Sequence, residues 1–317
     1  MPPSRFPELT RRYIFNGHAS ALGGQIYDPE AQKGVIDISC GSSALGVAGG
    51  VARSSNNGGG LTDTQGRRIE RSDITFTSSE TFSEGRYTDE RKAIQVVRHT
   101  KFQDELATRT TTRVTLNGLR VGGAPTFSAG VIHAELTGYN DGPDREPRYA
   151  ISEDTRFETL AVTDPAGKVY GLTVEIKRGV FCSRNGKAPK GDTRAKLALA
   201  AAKDPDIFPR TYVGRETRRA QAQSKTFKLP KAARIVSLRG VSYATIVEKI
   251  SWADAPYPES EINQNIVQIP ELGLIFFGEL LVSPAARRLT MVRFELGSDD
   301  GGYVDGVDVA SAGSWYP

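Results

Sequence analysis

The stretch KVYGLTVEIK (Lys168–Lys177) decides the fold class. Tyr170, Leu172, Val174 and Ile176 fall on one side of an extended chain, and Gly171, Thr173 and Glu175 fall on the other. A period of two marks a strand with one buried and one wet face, because successive side chains of an extended backbone point in opposite directions. The same alternation runs through Gly34–Cys40, Ser72–Thr77, Val131–Thr137, Ile235–Ile250 and Leu289–Leu296. Thr112–Val121 (TRVTLNGLRV) reads as two short strands around an Asn117-Gly118 turn, since Asn-Gly accepts the positive φ that a tight hairpin demands. Half-buried strands of this kind, punctuated by Gly, Pro and Asn, predict a mainly β fold. Its expected form is an antiparallel sandwich or a pair of barrel-like sheets rather than a βαβ array. No fixed-period repeat is present, which argues against a solenoid or propeller.

One short helix is expected at about 193–203. Asp192 or Thr193 can cap the run RAKLALAAAK (Arg194–Lys203), which is rich in strong helix formers, and Asp204-Pro205 stops it. Residues 1–317 are expected to form one large β-rich unit. Its finest subdivision is a β portion over 1–183, a basic insertion over 184–232 and a second β portion over 233–317.

Two regions depart from the strand pattern. Gly41–Gly66 is small, polar and glycine-rich, and its expected form is a loop, because glycine makes ordering entropically costly, with an arm that orders only against a partner as the alternative. Arg184–Arg239 carries fifteen lysines and arginines against four acids, a net +11, so with the whole chain at +4 the remainder is −7. Within it GRETRRAQAQS (Gly214–Ser224) has no apolar face for core packing. Such a stretch is either a solvated face or linker, or a basic surface that meets an acidic protein surface, a polyanion or an anionic membrane. In the second case Arg215, Arg218, Arg219, Lys225, Lys228 and Lys231 are the candidate binding residues. Nucleic acid is one such polyanion, although few aromatics interleave the cations to stack on bases.

Composition narrows the functional classes. At 317 residues with 38% hydrophobic and 25% charged content, the chain is that of a folded, soluble protein. The longest apolar run, Leu272–Val282, is interrupted by Glu279 and is too short for a membrane helix. The opening MPPSRFP has no apolar core of a secretory signal. Two distant cysteines, Cys40 and Cys182, make no disulfide framework, and these features together point to the cytoplasm. Three histidines, none at i, i+4 spacing, are too few for a dedicated zinc site, so no cofactor or metal is expected.

Candidate chemical groups are scattered. Cys40 shares a face with Ile36 and Ile38, which places its thiol in the core. Cys182 ends a predicted strand near Arg184, a cation that would lower its pKa. His99 and His133 lie on the polar sides of predicted strands, where pairing with a carboxylate would permit acid–base chemistry. His18 is read within a turn, Asn16–Ser20. SDDGGYVDGVDV (Ser298–Val309) gathers Asp299, Asp300, Asp305 and Asp308 among glycines, a turn composition with some calcium-loop character but not EF-hand spacing. Trp252 and Tyr257, with Asp254, Glu259 and Glu261 nearby, form a candidate sugar-stacking group. The terminal Trp315 and Tyr316 are expected to dock on the core or a neighbouring subunit.

No nucleophile elbow, phosphate loop, dinucleotide fingerprint or HExxH motif occurs. The leading expectation is a structural or assembly protein that self-associates into a homo-oligomer through charge-polarised surfaces. The alternatives are a binding module for a polyanion or carbohydrate, and an enzyme whose site is assembled from residues distant in sequence. A pore-forming variant would refold Asp104–Val121 and Gly41–Gly66 into amphipathic hairpins.

Overall fold

The alternation at Lys168–Lys177 is realised in the computed structural model, which describes residues 12–28, 34–58, 74–87, 108–140, 148–176, 182–183, 242–282, 286–296 and 302–316. In chain order the strands are β1 (Arg12–Asp28), β2 (Gly34–Ala44), β3 (Gly50–Asn56), β4 (Ile74–Thr75), β5 (Ser78–Tyr87) and β6 (Thr108–Val121). Next come β7 (Thr126–Asn140), β8 (Arg148–Ser152), β9 (Arg156–Thr163), β10 (Val169–Ile176), β11 (Cys182–Ser183) and β12 (Ser242–Thr245). The last six are β13 (Val247–Trp252), β14 (Glu261–Asn263), β15 (Ile266–Ile269), β16 (Gly273–Val282), β17 (Ala286–Leu296) and β18 (Gly302–Tyr316).

They form two open sheets. The eight-stranded sheet runs β14-β15-β16-β17-β18-β1-β2, with β12 also on β16. The ten-stranded sheet runs β13-β10-β9-β7-β6-β5-β3, with β4 on β6 and β8 and β11 branching from β7. Pairing is antiparallel except between β11 and β8. Strands β1, β17 and β18 lie over β5, β6 and β7. The architecture is therefore a sandwich of open sheets and not a closed barrel.

The inward faces supply the core. In β10, Tyr170 and Leu172 are buried while Val174 and Ile176 pack partly against the same cluster, as the alternation predicts. Phe127 meets Phe294 edge-on at 5.1 Å and lies 6.1 Å from Phe277, and Phe157 meets Phe277 at 5.6 Å. Rings at such angles contribute about 0.5–1.5 kcal/mol per pair beyond the area they bury. Cys40, a buried thiol, belongs to this core. Toward one end the filling turns polar, with Ser43, Ser79, Thr81, Ser83, Thr108, Thr110 and Thr112 all buried. There Ser43 and Ser83 exchange a hydroxyl–hydroxyl hydrogen bond of 3.0 Å across the two sheets.

Both sheets contain an aligned insertion. Across the eight-stranded sheet, the matched pairs skip Gly278 and Met291, then Met291 and Val307, then Val307 and Ala21, then Ala21 and Gly41. Alternate members turn left-handed, with φ of 59° at Gly278, 56° at Val307 and 60° at Gly41. In the ten-stranded sheet the row is Gly118 (62°), Gly130 and Thr159 (54°). A bulge in one strand shifts it against its neighbour. Here each strand of a row gains one residue at the same level, so register survives along the row and only the inward–outward alternation reverses. In β6 the buried set changes from Thr112, Val114 and Leu116 to Leu119 and Val121.

Several local expectations are corrected. Asn117-Gly118 is not a hairpin turn, since β6 pairs with β7 on both sides of it. Gly118 is the left-handed member of the row, where a Cβ would lie 2.1 Å from Thr77 Oγ1. Asn16–Ser20 is not a turn but the middle of β1, and Gly17 is needed because a Cβ would meet Leu45 at 2.8 Å and Thr110 at 2.9 Å. Much of Gly41–Gly66 is ordered as the end of β2 and the edge strand β3, whose partner is β5. Asp305 and Asp308 stand in β18, an inner strand, not in a turn. The helix expected over 193–203 lies outside the described residues, as does the whole of the basic insertion.

Candidate functional site

The outer face of the ten-stranded sheet is built from rows of residues that register places side by side. One row runs Arg53, Phe82, Arg113, Glu135 across β3, β5, β6 and β7. The next row runs Ser55, Glu80, Thr115, His133, Arg156 and reaches β9. Where the two rows meet β3 they line a groove of about 250 Å³, walled by Arg53, Ser55, Glu80, Phe82, Arg113 and Thr115.

Phe82 is the pivot of the groove. The Arg53 guanidinium lies 5.1 Å from its ring centroid and that of Arg113 lies 5.0 Å away. Each contact of this kind is worth about 0.5–1 kcal/mol at an exposed site. Its larger effect is chemical, because a guanidinium resting near a ring leaves its N–H groups unspent for a carboxylate, sulfate or phosphate. Arg113 is opposed by Glu135 at 3.8 Å, a half-exposed pair of little strength. Among the described residues Arg53 and Glu80 form no ion pair.

His133 closes the second row. Its Nδ1 lies 2.9 Å from Thr115 Oγ1. Burial, with the positive charges of Arg156 and Arg113, pushes its pKa below the usual histidine value. The ring is consequently neutral at pH 7 and serves as a hydrogen-bonding neighbour of Thr115.

A second polar cluster occupies the outer face of the eight-stranded sheet. Arg288 Nε donates to both carboxylate oxygens of Asp308, at 2.8 and 2.9 Å, and Thr290 donates to Asp308 at 3.0 Å. Arg293 grips Glu279 with two bonds of 2.7 and 2.9 Å, also pairs with Glu295, and stacks 3.8 Å from the Phe276 centroid. Among the described residues, Asp305 receives only the 3.3 Å contact from Arg288. Burial, reinforced by Asp308 and Glu279 and opposed by Arg288 and Arg293, raises its pKa to about 7. No group of three or more potential metal ligands occurs among the described residues.

The residues singled out from sequence are dispersed. Arg215, Arg218, Arg219, Lys225, Lys228 and Lys231 lie outside the described residues, as do His99, Asp299 and Asp300. His133 does stand in the groove's second row. His18 points from the middle of β1, and Ser20 beside it donates to the Leu22 carbonyl at 3.2 Å rather than to the histidine. Cys182 is placed in β11 by its backbone pairing with Ile151. Trp252 and Tyr257 do not make a stacking platform: Tyr257 is buried edge-on against Tyr170 at 5.1 Å, and Trp252 packs on the core. Trp315 is paired through its backbone with Tyr13, and Tyr316 with Arg12.

Sequence reasoning missed Arg53, Glu80, Phe82 and Arg113. Their shared face is visible within each strand, but their adjacency exists only in the strand register, which no local spacing encodes.

A family model described as Domain of unknown function (DUF8256) matches residues 13–283. The chain belongs to that family. No curated protein and no solved structure matches it. The matched part of the DUF8256 chain contains every residue that lines the groove. No helix among the described residues of the DUF8256 chain is long and apolar enough to cross a membrane.

Proposed function

We propose that this protein is a binding module that holds an anionic ligand on the outer face of its ten-stranded sheet. The reading is carried by the Arg53–Phe82–Arg113 stack, in which two guanidiniums are propped over one ring at the wall of a groove. Neighbouring guanidiniums recognise planar or tetrahedral anions through paired, charge-assisted hydrogen bonds. In this reading Arg215, Arg218, Arg219, Lys225, Lys228 and Lys231 add a less selective electrostatic contact. The protein works in the cytoplasm, where the Cys40 thiol stays reduced.

Elution from a heparin matrix in a salt gradient tests the assignment. The wild type is expected to be retained, and the Arg53→Gln/Arg113→Gln double variant to elute at clearly lower salt. Neutralising the six basic residues should produce a separate, additive shift. Equal elution of wild type and double variant would remove the groove from the binding surface.

Self-association is the second reading, favoured by two exposed aliphatic side chains, Val47 just before the edge strand β3 and Val51 within it. Val47 is 70% exposed and Val51 is 59% exposed. An uncovered strand edge flanked by apolar residues is a site for pairing with another chain. Light scattering at about 0.05 M and about 1 M salt, a several-fold change in screening length, reads the assembly state. A monomer at both salts would end this reading, and an assembly that dissolves at high salt would assign it to charge rather than to the valines.

A further inference from the structure

Resting on that anion-binding reading, we infer that the ligand of the groove is an acidic saccharide rather than a phosphate chain or nucleic-acid backbone. The inference comes from what stands beside the arginine row. Glu80 lies two residues from Phe82 on the same strand and the same face, roughly 7 Å along β5. It is exposed, and no ion pair to any described residue neutralises it. Ser55 and Thr115 stand directly opposite it on the neighbouring strands.

The groove thus presents two kinds of recognition side by side. The guanidinium row takes a negative group. The row Ser55, Glu80, Thr115 offers a charged acceptor between two hydroxyls, backed by His133 at 2.9 Å from Thr115. A carboxylate in that position repels a second negative charge, so a ligand with anionic groups along its whole length pays repulsion at every binding register. A sugar acid satisfies both rows. Its carboxylate or sulfate meets the forks, and its ring hydroxyls donate to Glu80 while exchanging bonds with Ser55 and Thr115. Phe82 does not offer a stacking face to a nucleobase, because guanidiniums already lie over it.

Titration calorimetry with galacturonate, N-acetylglucosamine 6-sulfate and inorganic tripolyphosphate tests this on the full chain. Wild type is expected to bind at least one of the two saccharides tighter than tripolyphosphate. Glu80→Gln, an exposed and nearly isosteric change, should weaken that saccharide about 5–10-fold, the scale of losing a charged hydrogen bond, and should tighten tripolyphosphate. Binding of tripolyphosphate but of neither saccharide would overturn the inference. So would a Glu80→Gln variant that binds saccharide as well as or better than wild type. In either case Arg53→Gln/Arg113→Gln still reports on the anion site by itself: loss of all binding in that variant leaves the module standing, and unchanged binding removes the module along with the saccharide.

Discussion

Asp305 illustrates how one side chain sets a pH dependence. Its carboxyl is buried on β18 with a single described partner, and its pKa stands at about 7. In the unfolded chain the same group titrates near 3.9. The folded protein therefore holds the proton more tightly, and the associated stability is present below about pH 4 and lost as pH rises toward 7. The groups facing it are Asp308 on its own strand, Arg288 and Arg293 on β17 and Glu279 on β16, while β1 presents only Gly23 opposite it. Asp305→Asn removes the ionisation, so the variant should gain on wild type between pH 5 and pH 8, by about 1–3 kcal/mol once residual screening is allowed for. Thermal melts at the two pH values read this directly, and parallel pH profiles for both proteins would contradict it.

At the same scale, two glycines separate backbone strain from packing. Gly278 has φ of 59°, and a Cβ there would meet Ile246 at 2.7 Å and Val247 at 3.0 Å inside the core. Gly167 has φ of 84° with nothing within 4 Å of a Cβ. Gly167→Ala should cost about 1 kcal/mol, the conformational part alone. Gly278→Ala should cost about 2–4 kcal/mol, because overpacking adds to that part. Urea unfolding midpoints distinguish them, and equal costs would show that the core absorbs the methyl without strain.

Elements carry the lesson about what sequence can reveal. Alternation identified the strands around Lys168–Lys177, Val131–Thr137 and Leu289–Leu296 because a half-buried strand writes its two faces into consecutive residues. It failed where the alternation reverses. At Asn117-Gly118 the phase break looked like the end of one strand and the start of another, although β6 continues through it. Around Gly17 a residue chosen for close approach between sheets looked like a turn residue. Arg53 was hidden for the same reason, since the glycines that precede it resemble a loop while the chain there crosses to become β3. The groove itself was unreadable, because Arg53 and Arg113 meet only through Phe82 on the strand between them. Element position also orders local stability. Amides of β18, β6 and β7, flanked by strands on both sides, should exchange with deuterium far more slowly than those of β3 and β14 at the sheet edges. Comparable rates at centre and edge would mean that the sheets open as whole units.

Over the whole molecule, the two sheets draw on different parts of the chain. The ten-stranded sheet is assembled from strands between β3 and β13, while the eight-stranded sheet joins β1 and β2 to β12 and the run from β14 to β18. Contacts between residues so distant in sequence are slow to form, because a long loop must close before any pairing compensates. The longest of these pairings is that of β1 with β18, where Arg12 lies opposite Tyr316 and Ile26 opposite Gly302.

That zipper has a consequence for biosynthesis. The hairpin of β1 and β2 leaves the ribosome well before β18, the strand that covers its free side, is made. At about 5–20 residues per second, the edge of β1 stays bare for some tens of seconds. A nascent chain in that condition is a natural client for a holding chaperone, and translation pauses ahead of Gly302 would lengthen its exposure.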